Sequence, residues 1–133
     1  MPINFDSALG IHADTLRIRA QRAELLASNL ANADTPNYKA RDIDFQAALK
    51  MATSGQSDHV NTTHQKHFPT AGSGESYSSA LMYRKSIQDS LDGNTVDEQI
   101  EQSQFMQNSV QYQASLDFLG GKFRSLRTAI KGE

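Results

Sequence analysis

Cysteine is absent from this chain. Its absence excludes disulfides, thiolate zinc sites and a cysteine nucleophile, and it is compatible with the cytosol or with an extracytoplasmic protein held by packing alone. Tryptophan is also absent, and hydrophobic residues make up only 38% of the 133 positions. That fraction is below the globular average, so a lone domain of this length buries a modest core. The formal net charge is −2, with both signs mixed along the chain. No Lys/Arg cluster is able to neutralise a row of phosphates, so nucleic acid is not expected as a partner. No stretch approaches the roughly 18 apolar residues of a membrane span. Met1-Pro2-Ile3-Asn4-Phe5-Asp6 lacks a basic segment followed by an apolar run, so no cleaved secretory signal is expected, and any export needs another route.

What is present is helical patterning at both ends. The expected fold class is mainly α, with long N- and C-terminal helices whose heptad seams pack as a coiled-coil hairpin. A polar, largely irregular middle segment joins them. In the first region, residues 1–52, Leu9, Ala13, Leu16, Ala20, Ala23, Ala27 and Leu30 recur at alternating spacings of four and three, a heptad seam. Ile11, Ile18 and Leu25 form a second row nearly opposite it at about 100° per residue. A helix with apolar rows on two sides wants neighbours on two sides. The pattern stops at Asn32-Ala33-Asp34-Thr35-Pro36-Asn37-Tyr38, where Pro36 breaks the helix and Asn37 tolerates positive φ, predicting a tight turn. Asp44 is placed to cap a short helix carrying Phe45, Ala48, Leu49 and Ala52 on one face.

Residues 53–93 form the polar middle. Thr53 to Ser79 reads as a long loop, and Tyr77 to Leu91 as an arm packed on a neighbour, in preference to a strand or helix. In residues 94–133, Thr95 and Glu98 have the spacing of a capping box. Phe105, Ser109, Tyr112, Leu116, Leu119, Phe123, Leu126 and Ile130 form a second heptad seam. Asp97, Glu98 and Glu101 at the start, and Lys122, Arg124, Arg127 and Lys131 near the end, suit the helix dipole. Gly120-Gly121 predicts either a bend or the close approach of another backbone.

Candidate chemistry is sparse. His59, His64 and His67 offer too few ligands for a structural zinc site without cysteine, and read as exposed or partner-contacting side chains. Asp42 and Asp44 could be paired carboxylates, but no second catalytic group accompanies them, and capping explains Asp44. There is no Gly-x-Ser-x-Gly elbow and no phosphate-cradling loop. Arg17, Arg19 and Arg22 read as a solvated or intersubunit face. No catalytic, cofactor-binding or metal-binding residue is expected, no cofactor, and no small-molecule substrate. An ordinary helical hairpin could explain both seams; the second apolar row on the first helix favours assembly. A soluble helical adaptor or export chaperone, working as a small dimer, is the alternative.

Asn29, Asn32, Thr35, Pro36, Asn37 and Tyr38 carry a resemblance. The segment resembles the signature of flagellar axial proteins, in which an N-terminal helix ends in Asn-x-x-Asn-x-x-Thr-x-Gly-Tyr. Asn37 stands in the glycine position, which asparagine fills next best. Tyr38 to Phe45, Thr63 to His67, Ser90 to Asp97, Tyr112 to Ala114 and Leu126 to Ile130 are similar to the proximal-rod branch of that family. The resemblance implies a self-assembling structural subunit, not an enzyme, in the periplasmic rod of the flagellar basal body. It implies type III export without a cleaved signal. The implied partners are other copies of itself, other rod proteins, the adaptor FliE, the membrane-ring protein and the export gate. It also implies that the terminal helices line the tube, that Asn29, Asn32 and Thr35 cap the first helix and fix its turn, and that Tyr38 anchors that turn by packing.

Overall fold

Among the described residues, three helices and a two-stranded ladder follow one another in the order helix, strand, helix, strand, helix. They are seen in a computed structural model that describes residues 9–54, 80–86 and 90–132. Helix α1 spans Ile11–Ala31 and begins after Gly10, whose φ is +56°. Asp14 lies in its first turn, where a carboxylate suits the dipole. The chain then turns and enters strand β1, Arg41–Ile43. Helix α2 covers Phe45–Ser54, and Asp44 caps it as expected, with Oδ1 accepting from the backbone N–H groups of Gln46 and Ala47 at 2.9 and 3.0 Å. Strand β2, Leu81–Tyr83, pairs antiparallel with β1, Asp42 opposite Met82. Helix α3, Glu98–Lys131, has 34 residues and is on the order of 50 Å long.

Two local expectations are corrected. Asp97, not Thr95, is the N-cap of α3: its carboxylate accepts from the backbone of Gln99 and Ile100. Thr95 is drawn away because its hydroxyl accepts the backbone N–H of Ala40 at 2.8 Å. Leu81–Tyr83 is a strand, because Ala40 and Asp44 close the ladder at both ends with Arg84 and Ala80. The rest of the polar middle, residues 55–79, with His59, His64 and His67, lies outside the described residues, as do 87–89.

The packing is mainly helical, and α1 and α3 run antiparallel: Asn29 meets Glu101, Arg19 meets Gln111, and His12 faces the Phe118 ring. The apolar core is small. Ile18, Ile43, Ala48 and Ala80 form it, with Leu25, Phe45, Leu49 and Ala52 against it. Among the described residues, only Ile18, Leu26 and Ile43 are large buried aliphatic side chains, each contributing about 1.5–3 kcal/mol. A core this size leaves much of the specificity to polar contacts. Ile18 is fully buried and Leu25 packs against the core, while Ile11 is 42% exposed, so the second apolar row of α1 serves the core through Ile18 and Leu25 only. Helix α3 runs through Gly120 and Gly121, and nothing lies within 4 Å of where a Cβ would stand on either. Close approach by another backbone is therefore not made within the chain's own described residues.

Candidate functional site

The segment that ends α1 is fixed from three directions. Asn32 is the C-cap of α1, and its side-chain amide donates to the Ser28 carbonyl at 2.8 Å. Thr35 donates its hydroxyl to Asn32 Oδ1 at 3.1 Å. Backbone bonds from Ala33 to Leu30, Thr35 to Asn32 and Tyr38 to Thr35 close successive turns. Pro36 follows, and Asn37 adopts φ +61°, the left-handed geometry that asparagine tolerates best after glycine.

The turn is also held from afar. The Asn94 amide nitrogen lies 3.0, 2.6 and 3.1 Å from the carbonyls of Asn32, Ala33 and Thr35, and Asn94 is buried. Asn37 N–H donates to the Asp92 carbonyl, Thr95 N–H to the Tyr38 carbonyl, and Lys39 Nζ to the Gly93 carbonyl. Asp92 in turn accepts from the Ser90 hydroxyl and the Asn94 backbone. Those two bonds, the Ser90 one foremost, hold its carboxyl below the usual range. Gly93 has φ +73°, and a Cβ there would stand 2.6 Å from Asn37 Oδ1. The signature segment that ends α1 and the segment from Ser90 to Thr95 are thus one interlocked clamp.

Asn29 lies at the inner edge of this clamp and is fully buried. It donates Nδ2–H to the Arg41 carbonyl at 2.8 Å and to Glu101 Oε2 at 3.2 Å, while its Oδ1 accepts the Arg41 N–H at 3.1 Å. Tyr38 reaches Asn29 Oδ1 at 3.4 Å and Ser28 Oγ at 3.3 Å through its hydroxyl, polar contacts that tie it to the end of α1.

A charged network lies beside it. Arg22 grips Asp42 with two bonds of 2.8 and 3.0 Å, and also donates to Gln104 Oε1. Arg84, just past β2, bridges Asp42 at 2.5 Å and Glu101. Glu101 is 1% exposed. Burial alone would raise the Asp42 carboxyl, but the bonds from Arg22 and Arg84 outweigh it and hold it below the usual carboxylate value. Arg19 stacks 4.4 Å above the Phe45 ring, and its guanidinium is lowered by burial and by the nearby Arg22 charge. Arg19 and Arg22 are therefore engaged inside the chain, which corrects the expectation of a solvated or intersubunit face; Arg17 is the exposed member, with Asp14 4.0 Å away. Nothing in sequence spacing marks Arg84, Glu101 or Asn94, because each acts across a long separation.

The seam residues are placed as follows. Leu9, just before α1, and Leu16 and Leu30 on it are half-buried, as are Tyr112, Leu119 and Leu126 on α3. Phe105, Leu116, Phe123 and Ile130 are 36, 37, 46 and 85% exposed. The α3 positions buried deepest are polar: Glu101, Asn108 and Ser115. Among the described residues no group of three His, Asp or Glu side chains could hold a metal ion, and no helix is long and apolar enough to cross a membrane.

Comparison with known proteins bears on this arrangement. Residues 9–39 match the family described as Flagella basal body rod protein. The Flagellar basal body rod protein FlgB of Aeromonas hydrophila is 48% identical over 100% of this chain and 99% of its own length. Proteins of the same name from Cereibacter sphaeroides and Salmonella typhimurium are 46 and 42% identical, covering 97 and 96% of this chain and 98 and 95% of themselves.

Proposed function

The chain belongs to the FlgB family of flagellar basal body rod proteins, and on that premise we propose that it self-assembles into the proximal end of the rod, linking the export gate and membrane ring to the rest of the drive shaft. As a member of this family it is a structural protein of the basal body, and its role is in motility. The observation that carries the assembly reading is the exposed apolar row on α3. After α1 has packed, Phe105, Leu116, Phe123 and Ile130 still face outward. An apolar row of this kind on a long helix calls for another helix to cover it. In this reading the seams form a coiled-coil pairing between subunits, with Leu9, Leu16 and Leu30 supplying the α1 side.

The subunit reaches the periplasmic rod through the type III apparatus without losing a signal segment. Its neighbours are further copies of itself, other rod proteins, the adaptor FliE, the membrane-ring protein and the export gate. The Asn29-to-Tyr38 clamp sets the direction in which the chain leaves α1, and hence the placement of everything beyond the terminal helices. No catalytic role is assigned. The small adaptor dimer is not carried forward, since the full-length relatives are named rod proteins.

The test replaces Asn32 or Tyr38 with alanine in the chromosomal copy of a swimming host. Rod assembly and swimming are expected to fall in both variants, with the secreted amount of the subunit unchanged. Normal swimming by both would sink the assignment of the clamp to assembly.

A further inference from the structure

The apolar seams of α1 and α3 share a weakness: they repeat every seven residues. Leu9, Leu16, Ala23 and Leu30 are seven apart, and so are Phe105, Tyr112, Leu119 and Leu126. Rows spaced this way look the same after a slip of one heptad, about 10 Å along the axis, so they do not select the register of the α1–α3 pair. The structure nevertheless has one register, and the contacts that define it are polar.

Arg19 is at their centre. Its backbone carbonyl accepts Asn108 Nδ2–H at 2.9 Å, and its Nη1–H donates to Gln111 Oε1 at 2.5 Å. The same guanidinium lies over Phe45 of α2, so Arg19 joins all three helices. Asn108 is 1% exposed, and its Oδ1 has no hydrogen-bond partner among the described residues; nor has Arg19 Nε. An apolar residue would be cheaper to bury here than a half-satisfied amide. A buried amide at one helix-pairing position, retained at a cost in stability, is the known signature of register specification.

We propose that Arg19, Asn108 and Gln111 form a register lock for the antiparallel α1–α3 pair, working with a second lock at Asn29 and Glu101. The two locks are seven residues apart on α3, but they are not interchangeable. Glu101 meets the Asn29 side chain and Arg84, whereas Asn108 meets a backbone carbonyl. A heptad slip in one direction brings Ser115 opposite the Arg19 carbonyl, with a shorter side chain already bonded to the Gln111 carbonyl. In the other direction it takes Glu101 away from Arg84 and Asn29. Either slip breaks polar pairs that the apolar rows cannot replace. The locks also leave the apolar row of α3 beside the pair and not inside it.

The experiment uses the full chain with spin labels on cysteines introduced at Ala27 and Gln102, both exposed; the absence of native cysteine makes the labelling unambiguous. Pulsed dipolar spectroscopy is expected to give one inter-label distance in the parent. One distance is also expected for Glu101→Leu alone and for Asn108→Leu/Gln111→Leu alone. With all three changes a second population appears, displaced by an axial slip of about 10 Å, while helical circular dichroism is retained because leucine is a good helix former. A Ser115→Leu control, which alters the same face and removes only a bond to the Gln111 main-chain carbonyl, leaves the lock side chains in place and keeps a single distance. A single distance in the triple variant overturns the proposal. So does splitting in the Ser115 control, and so does loss of helical signal in the triple variant, which would make these residues necessary for pairing itself and not for its register.

Discussion

Asn29 meets Arg41 as a neighbouring strand would: its amide donates to the Arg41 carbonyl and accepts the Arg41 N–H. Strand β1 is thereby satisfied on the side away from β2, and the C-terminal end of α1 is bound to the first residue of the ladder. Replacing Asn29 with alanine leaves both Arg41 backbone groups and one Glu101 oxygen without their partner. Buried unsatisfied groups cost about 1–3 kcal/mol each, so denaturant unfolding should show a loss of at least that size. Asn29→Asp should fare no better, since a carboxylate cannot donate to either the Arg41 carbonyl or Glu101.

Glu101 and Arg84 give a second expectation. Removing one partner from a buried ion pair costs about 3–5 kcal/mol, and Glu101 is almost wholly enclosed. Glu101→Ala should therefore unfold at clearly lower denaturant than the parent. Arg84 keeps Asp42 as a partner in that variant, so adding Arg84→Met should cost less on the Glu101→Ala background than in the parent. A double-mutant cycle that came out additive would contradict the direct coupling.

Acid should weaken the fold through Asp42. Its carboxyl is held below the ordinary value by Arg22 and Arg84, so the native state favours the ionised form. This contribution is complete above the unfolded-state pKa of about 4 and is lost as pH falls through the lower folded-state pKa. Asp42→Asn should lower stability at neutral pH and flatten the acid limb of the stability curve. An unchanged acid limb in that variant would show that other carboxylates control it.

The turn separates two kinds of positive-φ position. Asn37→Gly should be close to neutral, since glycine adopts φ +61° freely. Gly93→Ala should lose about 1–2 kcal/mol from the left-handed backbone alone, with the Asn37 side chain displaced as well. Thermal unfolding of the two variants side by side checks the contrast.

Gly120 and Gly121 behave differently from those turn positions. They lie in a continuous helix with open space around them, so Gly120→Ala should stabilise the isolated chain by about 1 kcal/mol. If a neighbouring subunit's backbone packs there in the rod, the same change should reduce swimming. A stabilised variant that swims normally would remove that contact from the account.

The sequence carried the long-period features well. Both helices, the stop of the first helix at Asn32 ahead of Pro36, the positive φ of Asn37 and the Asp44 cap follow from local spacing and side-chain chemistry, which act within a turn or two. What it did not carry is long-range. The strands are three residues each, too short for alternation to register. Arg22, Asp42, Arg84 and Glu101 converge from four separate segments, and no local period links them. Thr95 illustrates the competition: its spacing to Glu98 favours a capping box, but the Ala40 N–H claims its hydroxyl and Asp97 takes the cap. The burial of Glu101, Asn108 and Ser115 on α3 was hidden for the same reason, since an apolar row lies beside them on the helix.

The central claim is that this chain is a structural subunit of the flagellar rod, and isolated basal bodies test it most directly. An epitope-tagged copy is expressed in a flagellated cell whose own FlgB has been deleted. Basal bodies are then purified and stripped of filament and rings. The account predicts restored swimming, with the tagged chain retained in the stripped rod in fixed ratio to the other rod proteins. Restored swimming without the chain in the rod, or a folded and exported chain that restores neither rod nor swimming, would contradict it.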